Sequence, residues 1–229
     1  MAVLISQRHD KNKYGDWFDS LESNYHVYFN SYEINLISVS NINPDLERLN
    51  TEFDISGVIL SGGNNVASET SEIKAWDIEG ASIYRDVTEE KLLKYAIQNN
   101  IPILGICRGM QFINKYFGGK IEKDIHVFDK KKLQKTSNVH QLSIKINSLM
   151  DFNQTSTNTF HNQGVIKSEL GNGLKEFATD NNHDIVEGVY HESLPIIGVQ
   201  WHPERKNSCS KLDNTIMNVF MKKQNLIKK

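Results

Sequence analysis

Two short segments hold residue types able to do covalent chemistry. The first is Ile103–Gln111, ILGICRGMQ, an apolar run that enters Gly105-Ile106-Cys107-Arg108-Gly109. The pattern G-x-C-x-G is the cysteine counterpart of a nucleophile elbow, a sharp turn from a strand into a helix. Glycine on either side lets the turn close without side-chain clashes. The central residue is then strained and presents its side chain at the C-terminal edge of the sheet. The helix that follows aims free N–H groups and its positive dipole end at the sulfur. That favours the thiolate, which is the nucleophilic form. The alternative for Cys107 is a buried structural cysteine, the common fate of this residue type.

The second segment is Gly198–Glu204, GVQWHPE. A nucleophilic cysteine needs a base, and the base needs an orienting group. An apolar strand ends near His202, and Glu204 stands two residues on, which in extended chain is the same side. Pro203 fixes its own φ and stiffens the spacing. Glu204 can hold one imidazole nitrogen and leave the other facing Cys107, the logic of a catalytic triad. For an isolated H-x-E the alternative is an exposed polar turn. A strand end is nonetheless where a parallel α/β sheet places its chemistry. A third segment, Leu60–Asn64 (LSGGN), also follows an apolar run. Backbone N–H groups of a glycine turn, with the N–H of Arg108, could stabilise an oxyanion. A plain turn is the other reading. No phosphate-binding G-x-x-x-x-G-K-[ST] pattern occurs.

These segments need a scaffold that brings strand ends together. Ala2–Ser6, Ile34–Val39, Gly57–Ser61 and Ile101–Ile106 are apolar runs suited to buried strands. A helix is expected after Asp86, with Glu89 completing a capping box and Asn99-Asn100 ending it. Another should follow Cys107, with Met110, Ile113 and Phe117 on one face and Gly118-Gly119 as its stop. Strands alternating with helices predict an α/β fold with a mainly parallel open sheet flanked by helices. The second half is richer in strand patterns: Leu142–Ile146, Ile185–Tyr190 and Pro195–Gln200, with a closing helix over Asn214–Lys222. Residues 64–84 are polar and weakly patterned, as a loop over one end of the sheet would be.

Composition bounds the remaining possibilities. The 229 residues carry a net charge of -2, 38% hydrophobic residues and only two cysteines, Cys107 and Cys209. A single domain spanning 1–229 is expected. No block of like charge favours nucleic acid or an anionic membrane as partner. Two cysteines exclude a disulfide framework and an all-cysteine zinc site. His126, His140, His183 and His191 lack metal-ligand spacing, so no metal site is assigned. No apolar run would span a bilayer, and MAVLISQRHD reads as a first strand rather than a signal peptide. A cytoplasmic location is expected.

Taken together, SGG, GICRGMQ and GVQWHPE resemble the class I glutamine amidotransferase superfamily, whose fold is flavodoxin-like. Arg85-Asp86 with Glu89, the ICRG form of the elbow and TNTFHNQG at 157–164 resemble its γ-glutamyl hydrolase (peptidase C26) branch. The resemblance implies that Cys107 forms a γ-glutamyl thioester and that His202 exchanges protons with it and with the leaving amine, oriented by Glu204. It implies an oxyanion hole at Gly63 and the N–H of Arg108. It further implies that Gln111 contacts the glutamyl group, with Gly62, Asn64, Phe160, His161, Asn162 and Gln163 around the substrate. Relatives often carry a second His where Asn162 stands. Neither metal nor organic cofactor is implied.

Relatives acting on γ-glutamyl-γ-aminobutyrate commonly continue as GGxDVxPxxYGE, whereas this chain reads SGGNNVASETSEIKAW. The bare SGGN loop, ISQR near residue 5 and Asp19-Ser20-Leu21 resemble a compact branch that hydrolyses γ-glutamyl-CDP-amidate during capsule phosphoramidate biosynthesis. The other readings are γ-glutamyl-γ-aminobutyrate hydrolysis, a glutaminase subunit feeding ammonia to a partner synthase, and a non-catalytic module on the same fold. The substrate is expected to be a small γ-glutamyl compound, and self-association stays open. For a nucleotide leaving group, Arg8, Lys74, Arg85 and Arg205 are candidate phosphate contacts. Trp76, Tyr84 and Trp201 are candidate stacking surfaces. For each, ordinary salt bridging or packing is the competing reading.

Overall fold

The computed structural model describes residues 1–67, 80–125, 139–145, 153–180 and 184–222. The first half runs β1 (Ala2–Ser6), β2 (Arg8–Lys11), β3 (Trp17–Ser20), α1 (Ser23–Asn30), β4 (Asn35–Val39), α2 (Leu46–Phe53), β5 (Ile55–Leu60), α3 (Ile83–Gln98), β6 (Ile103–Ile106) and α4 (Arg108–Tyr116). The second half adds β7 (Val139–Ile144), β8 (Gln154–Asn158), β9 (Val165–Ile166), β10 (Leu174–Asp180), β11 (Ile185–His191), β12 (Ile196–Val199) and α5 (Ser210–Met221). Among the described residues the main sheet is ordered β4-β1-β5-β6-β12-β11-β10-β7-β8, with β9 beside β11. β4 through β12 pair in parallel, and every pair beyond β12 is antiparallel. This is the expected α/β sheet with a β-rich second half.

Alternation along the strands builds a core on each face. Val3 and Ile5 point with Ile59, Leu104, Ile106 and Trp201 toward Phe29 of α1 and Ile216 and Phe220 of α5. Leu4, between them in sequence, points the other way with Val58, Leu60 and Ile103 toward Leu92 and Leu93 of α3 and Ile113 of α4. The parallel register puts Leu60 level with Gly105, and Gly105 level with Gly198. The chain therefore leaves β5, β6 and β12 at one edge, carrying Gly62-Gly63, Cys107 and His202 there together.

Helix α3 begins earlier than the capping-box pattern predicts. Its N-cap is Ser82, whose hydroxyl accepts from Arg85 N–H at 3.3 Å. Asp86 and Glu89 are instead buried in ion pairs, which explains why acidic residues sit there without capping. Asn99 does end the helix. The closing helix also starts earlier than expected, at Ser210. Of the strand expected over Leu142–Ile146, Ile146 lies outside the described residues, and the strand ends at Ile144. Most of the 64–84 loop, with Lys74 and Trp76, lies outside them too, as do His126 and His183. Among the described residues no helix is long and apolar enough to cross a membrane.

Candidate active site

Cys107 stands alone between β6 and α4 with φ 53 and ψ -106. A non-glycine residue in this region costs about 1–3 kcal/mol, so the surrounding structure must over-determine it. The Cys107 N–H donates to Val199 O at 2.7 Å, which ties the turn to β12. Gly109 lets α4 lie directly on the end of β5: a Cβ there would stand 2.1 Å from Leu60 O. The elbow thus depends on a close backbone approach as well as on a tight turn.

His202 is 2% exposed, and its Nδ1 donates to Glu204 Oε1 at 2.6 Å. With Nδ1 occupied, Nε2 is the nitrogen left for the hydrogen bond with Cys107. Burial alone would lower the His202 pKa; the hydrogen bonds to Cys107 and Glu204, with their charges, raise it to about 9. Burial alone would raise the Cys107 thiol; the hydrogen bond and charge of His202, together with the charge of His161, bring it below its ordinary value. Both partners move in the direction that favours a thiolate–imidazolium pair. Gln200 Nε2 also donates to Cys107 Sγ, at 3.4 Å.

The backbone of His202 is clamped by Asn158. His202 N–H donates to Asn158 Oδ1 at 2.9 Å, while Asn158 Nδ2 donates to His202 O at 2.8 Å and Lys206 O at 3.1 Å. Gly62 lies against the ring, where a Cβ would come within 2.7 Å of His202 Cε1. Sequence patterns single out none of Asn158, Tyr25 and Gln200. Asn158 and Gln200 lie inside TNTFHNQG and GVQWHPE, so the motifs do contain the signal.

The LSGGN segment is rigidly held. Gly62 N–H donates to Tyr25 Oη at 2.8 Å, and Arg85 Nη2 donates to Ser61 O and Gly62 O at 2.7 and 2.9 Å. Asn64 Oδ1 accepts from His9 N–H and Arg85 Nη1, and Asn64 Nδ2 donates to Asp10 at 2.6 Å. Gly63 has φ +116. Arg108 opens α4, where a backbone N–H has no acceptor within its own helix. Its side chain turns inward to Glu89 and Asp86, and Glu89 also takes Arg85 Nε at 3.0 Å and the Ser6 hydroxyl at 2.7 Å. Burial would raise Glu89; Arg108 and Arg85 outweigh it and hold its carboxyl below the usual range. Arg85 is fully buried in this network, which makes it structural rather than a phosphate contact.

Gln111 Nε2 bridges Gln163 O at 2.9 Å and Gln200 Oε1 at 3.1 Å, connecting three residues around the sulfur. Phe160 is 43% exposed at the rim, edge-on to His202 with ring centres 5.9 Å apart, and the Arg205 guanidinium lies over it at 4.8 Å. His161 is buried and donates from Nδ1 to Gln163 O at 2.9 Å. Asn162 is exposed, and its carbonyl accepts from Ile125 N–H at 2.9 Å. Arg8 and Arg205 both reach Glu22, at 3.9 and 2.7 Å. Tyr84 packs edge-on to His9, and Trp201 is fully buried core whose Nε1 donates to Asp213. A cavity of about 180 Å³ lies beside Gln163, lined also by Val66, Ala67, Lys115, Lys120 and Lys123.

The architecture is that of glutamine amidotransferases. A crystal structure from Thermoplasma acidophilum, provisionally assigned as one of the subunits of GMP synthase, superposes with a TM-score of 0.65 at 19% identity, covering 97% of this chain and 93% of that one. Residues 37–204 match the model of the peptidase C26 family, and the chain belongs to that family. A protein of Schizosaccharomyces pombe, provisionally named a glutamine amidotransferase, is 33% identical over 173 residues, 71% of this chain and 67% of that protein. The γ-glutamyl-CDP-amidate hydrolase of Campylobacter jejuni is 30% identical over 160 residues, 69% of this chain and 66% of the relative. The family supports action on an amide bond.

Proposed function

We propose that the protein hydrolyses a γ-glutamyl amide through a thioester on Cys107. The observation that carries this reading is the strained Cys107 turn facing a buried His202 whose far nitrogen is held by Glu204 at 2.6 Å. The Cys107 thiolate attacks the γ-carbonyl carbon, and the carbonyl oxygen becomes an oxyanion at the N–H groups of Gly63 and Arg108. His202, protonated at this stage, gives its Nε2 proton to the leaving nitrogen as the C–N bond breaks. Neutral His202 then takes a proton from water, whose oxygen attacks the thioester carbon. The C–S bond breaks, glutamate leaves, and the thiolate–imidazolium pair is restored. Gln111, Phe160, His161, Asn162 and Gln163 surround the substrate, with Gly62 and Asn64 supporting the oxyanion loop.

The amine that leaves is proposed to carry negative charge, in the first instance as a cytidine diphosphate amidate. The similarity to the Campylobacter jejuni hydrolase and the three lysines lining the cavity beside Gln163 support this choice. A glutaminase working for a partner synthase is the second reading, compatible with the fold shared with the Thermoplasma acidophilum chain provisionally assigned as a GMP synthase subunit. The test is glutamate release from γ-glutamyl-CDP-amidate, γ-glutamyl-γ-aminobutyrate and glutamine, with Cys107→Ala beside the wild type. Turnover of the nucleotide conjugate, abolished in the variant, is the expected result. Turnover retained by Cys107→Ala overturns the mechanism. Turnover of glutamine alone replaces the hydrolase reading with that of a synthase-dependent glutaminase.

A further inference from the structure

Behind His161 lies a row of buried titratable groups, Glu187, His140 and Asp180, that the mechanism above does not use. Glu187 of β11 is 1% exposed and sits between two imidazoles. His161 Nε2 is 3.5 Å from its Oε1, and His140 Nε2, from β7, is 3.5 Å from its Oε2. His140 Nδ1 in turn meets Asp180 Oδ2 of β10 at 3.3 Å. All four residues are less than a tenth exposed. Neither Nε2, nor Glu187 Oε2, makes a closer hydrogen bond among the described residues. The same residues do not form a metal-ligand set there.

Hydrogen-bond polarity decides where the protons sit. His161 Nδ1 faces the carbonyl of Gln163, which only accepts, so Nδ1 carries hydrogen. Nε2 faces a carboxylate, so one more proton belongs between Nε2 and Oε1. Imidazole is the stronger base by about two units, so the proton rests on the ring. His161 is then a cation next to the reactive cysteine. We infer that Glu187 is a positioning residue: it fixes His161 as a cation beside Cys107, with His140 and Asp180 holding Glu187 in place, and so sustains the thiolate.

The charges around each member are consistent with this. Cys107 interacts with His202 and Glu204 from the segment after β12, with Tyr25 of α1, and with His161. Burial would lower the His161 pKa, but Glu187, with the Cys107 charge and the Gln163 carbonyl, raises it above its ordinary value. The charge of a buried imidazolium acts on the thiolate with little screening, and the His161 charge does act on Cys107.

This inference rests on Cys107 being the reactive nucleophile, and the experiment keeps the two separable. Iodoacetamide alkylation of Cys107 is followed by mass spectrometry of its peptide from pH 5 to 10, which separates it from Cys209. A wild-type thiol titrating at an ordinary cysteine value would sink the nucleophile reading itself. Given a depressed wild-type value, Glu187→Gln is expected to raise it by about one unit, a tenfold slower alkylation at any pH below both values. His161→Gln should do the same. The double variant should be no worse than either single one, because both remove the same cation. A Glu187→Gln profile that superimposes on the wild type overturns the inference, as does an additive double variant. Should Glu187→Gln fail to fold, imidazole NMR of the wild type decides. The His161 signal, assigned by its loss in His161→Gln, must stay protonated above pH 7, and titration near 6.5 refutes the inference.

Discussion

Asn158 offers a sharp test of how His202, the proposed base, is held. Its side chain is fully buried and makes three hydrogen bonds to backbone, two of them to His202 itself. Asn158→Ala removes all three and strands the His202 N–H in a site without ready access to water, while His202 O keeps the Arg205 N–H at 3.1 Å. Each such bond contributes about 1 kcal/mol net, and buried groups left unpaired cost more, so the expected loss is about 2–4 kcal/mol. With a urea m-value of roughly 2–3 kcal/mol/M, the unfolding midpoint falls by about 1 M. A second effect follows from position. The imidazole is anchored by Glu204 at one nitrogen, but its backbone would now be free to shift relative to Cys107. Misplacement on the scale of 1 Å costs up to about a hundredfold in rate, so kcat should fall by roughly ten- to a hundredfold at temperatures where the variant is folded, with KM little changed. Equilibrium urea unfolding and steady-state glutamate release measure the two effects. A midpoint within about 0.3 M of the wild type would refute the clamp. A lowered midpoint with kcat within about twofold would show that Asn158 supports the fold without setting the base.

Two further outcomes are expected. The pH–rate profile should be bell-shaped: activity rises as the thiolate forms, below the ordinary thiol range, and falls as His202 loses the proton that the leaving amine requires, through about 9. Steady-state kcat/KM from pH 5 to 10 checks this, and a basic limb near 6.5 would contradict the raised imidazole. Glu89→Ala leaves two buried guanidinium groups facing each other without their shared carboxylate, which should cost about 3–5 kcal/mol in chemical denaturation. A loss below about 1 kcal/mol would mean the network is wetter and weaker than its burial indicates.

The parts legible in the sequence are those where local pattern and tertiary demand coincide. β1 and β6 are apolar runs buried on both faces, and the elbow announces itself because only glycine fits at 105 and 109, two residues either side of Cys107. The extended reading of His202–Glu204 does not hold, since β12 ends at Val199 and Pro203 and Glu204 lie in a turn closed by Arg205 N–H to His202 O at 3.1 Å; the turn nonetheless brings Glu204 to His202. The hairpin of β2 and β3 escaped notice because RHDK and WFDS are not apolar runs and pair only with each other. α2 spans only eight residues and fully buries none of them, resting on the core through the partly buried Leu46 and Leu49, so its apolar face is short. β8 reads QTSTN, with no hydrophobic alternation, yet it delivers Asn158 to the backbone of His202. Asp86 and Glu89 have the spacing of a capping box but answer to Arg108, which is distant in sequence. Glu187, His140 and Asp180 stand on three strands, and only their pairing in the sheet brings them to His161.

That same long-range wiring also links the two segments proposed to donate to the oxyanion. Gly63 and Arg108 belong to segments separated by the whole of α3, so neither motif alone sets the distance between their N–H groups. The bridge is ionic. Arg108 extends from the first turn of α4 to Glu89, Glu89 holds Arg85, and Arg85 grips the carbonyls of Ser61 and Gly62. The residue whose N–H is proposed to complete the oxyanion site therefore uses its own side chain to hold the segment that carries the other proposed donor. Apolar packing of similar volume could stabilise the fold as well, since a buried ion pair gains little over hydrophobic contacts. What packing alone would not supply is directional bonds to two consecutive carbonyls, which orient the Gly62-Gly63 peptide and so aim its N–H. The buried charges between β5, α3 and α4 are best understood as a device for placing that peptide.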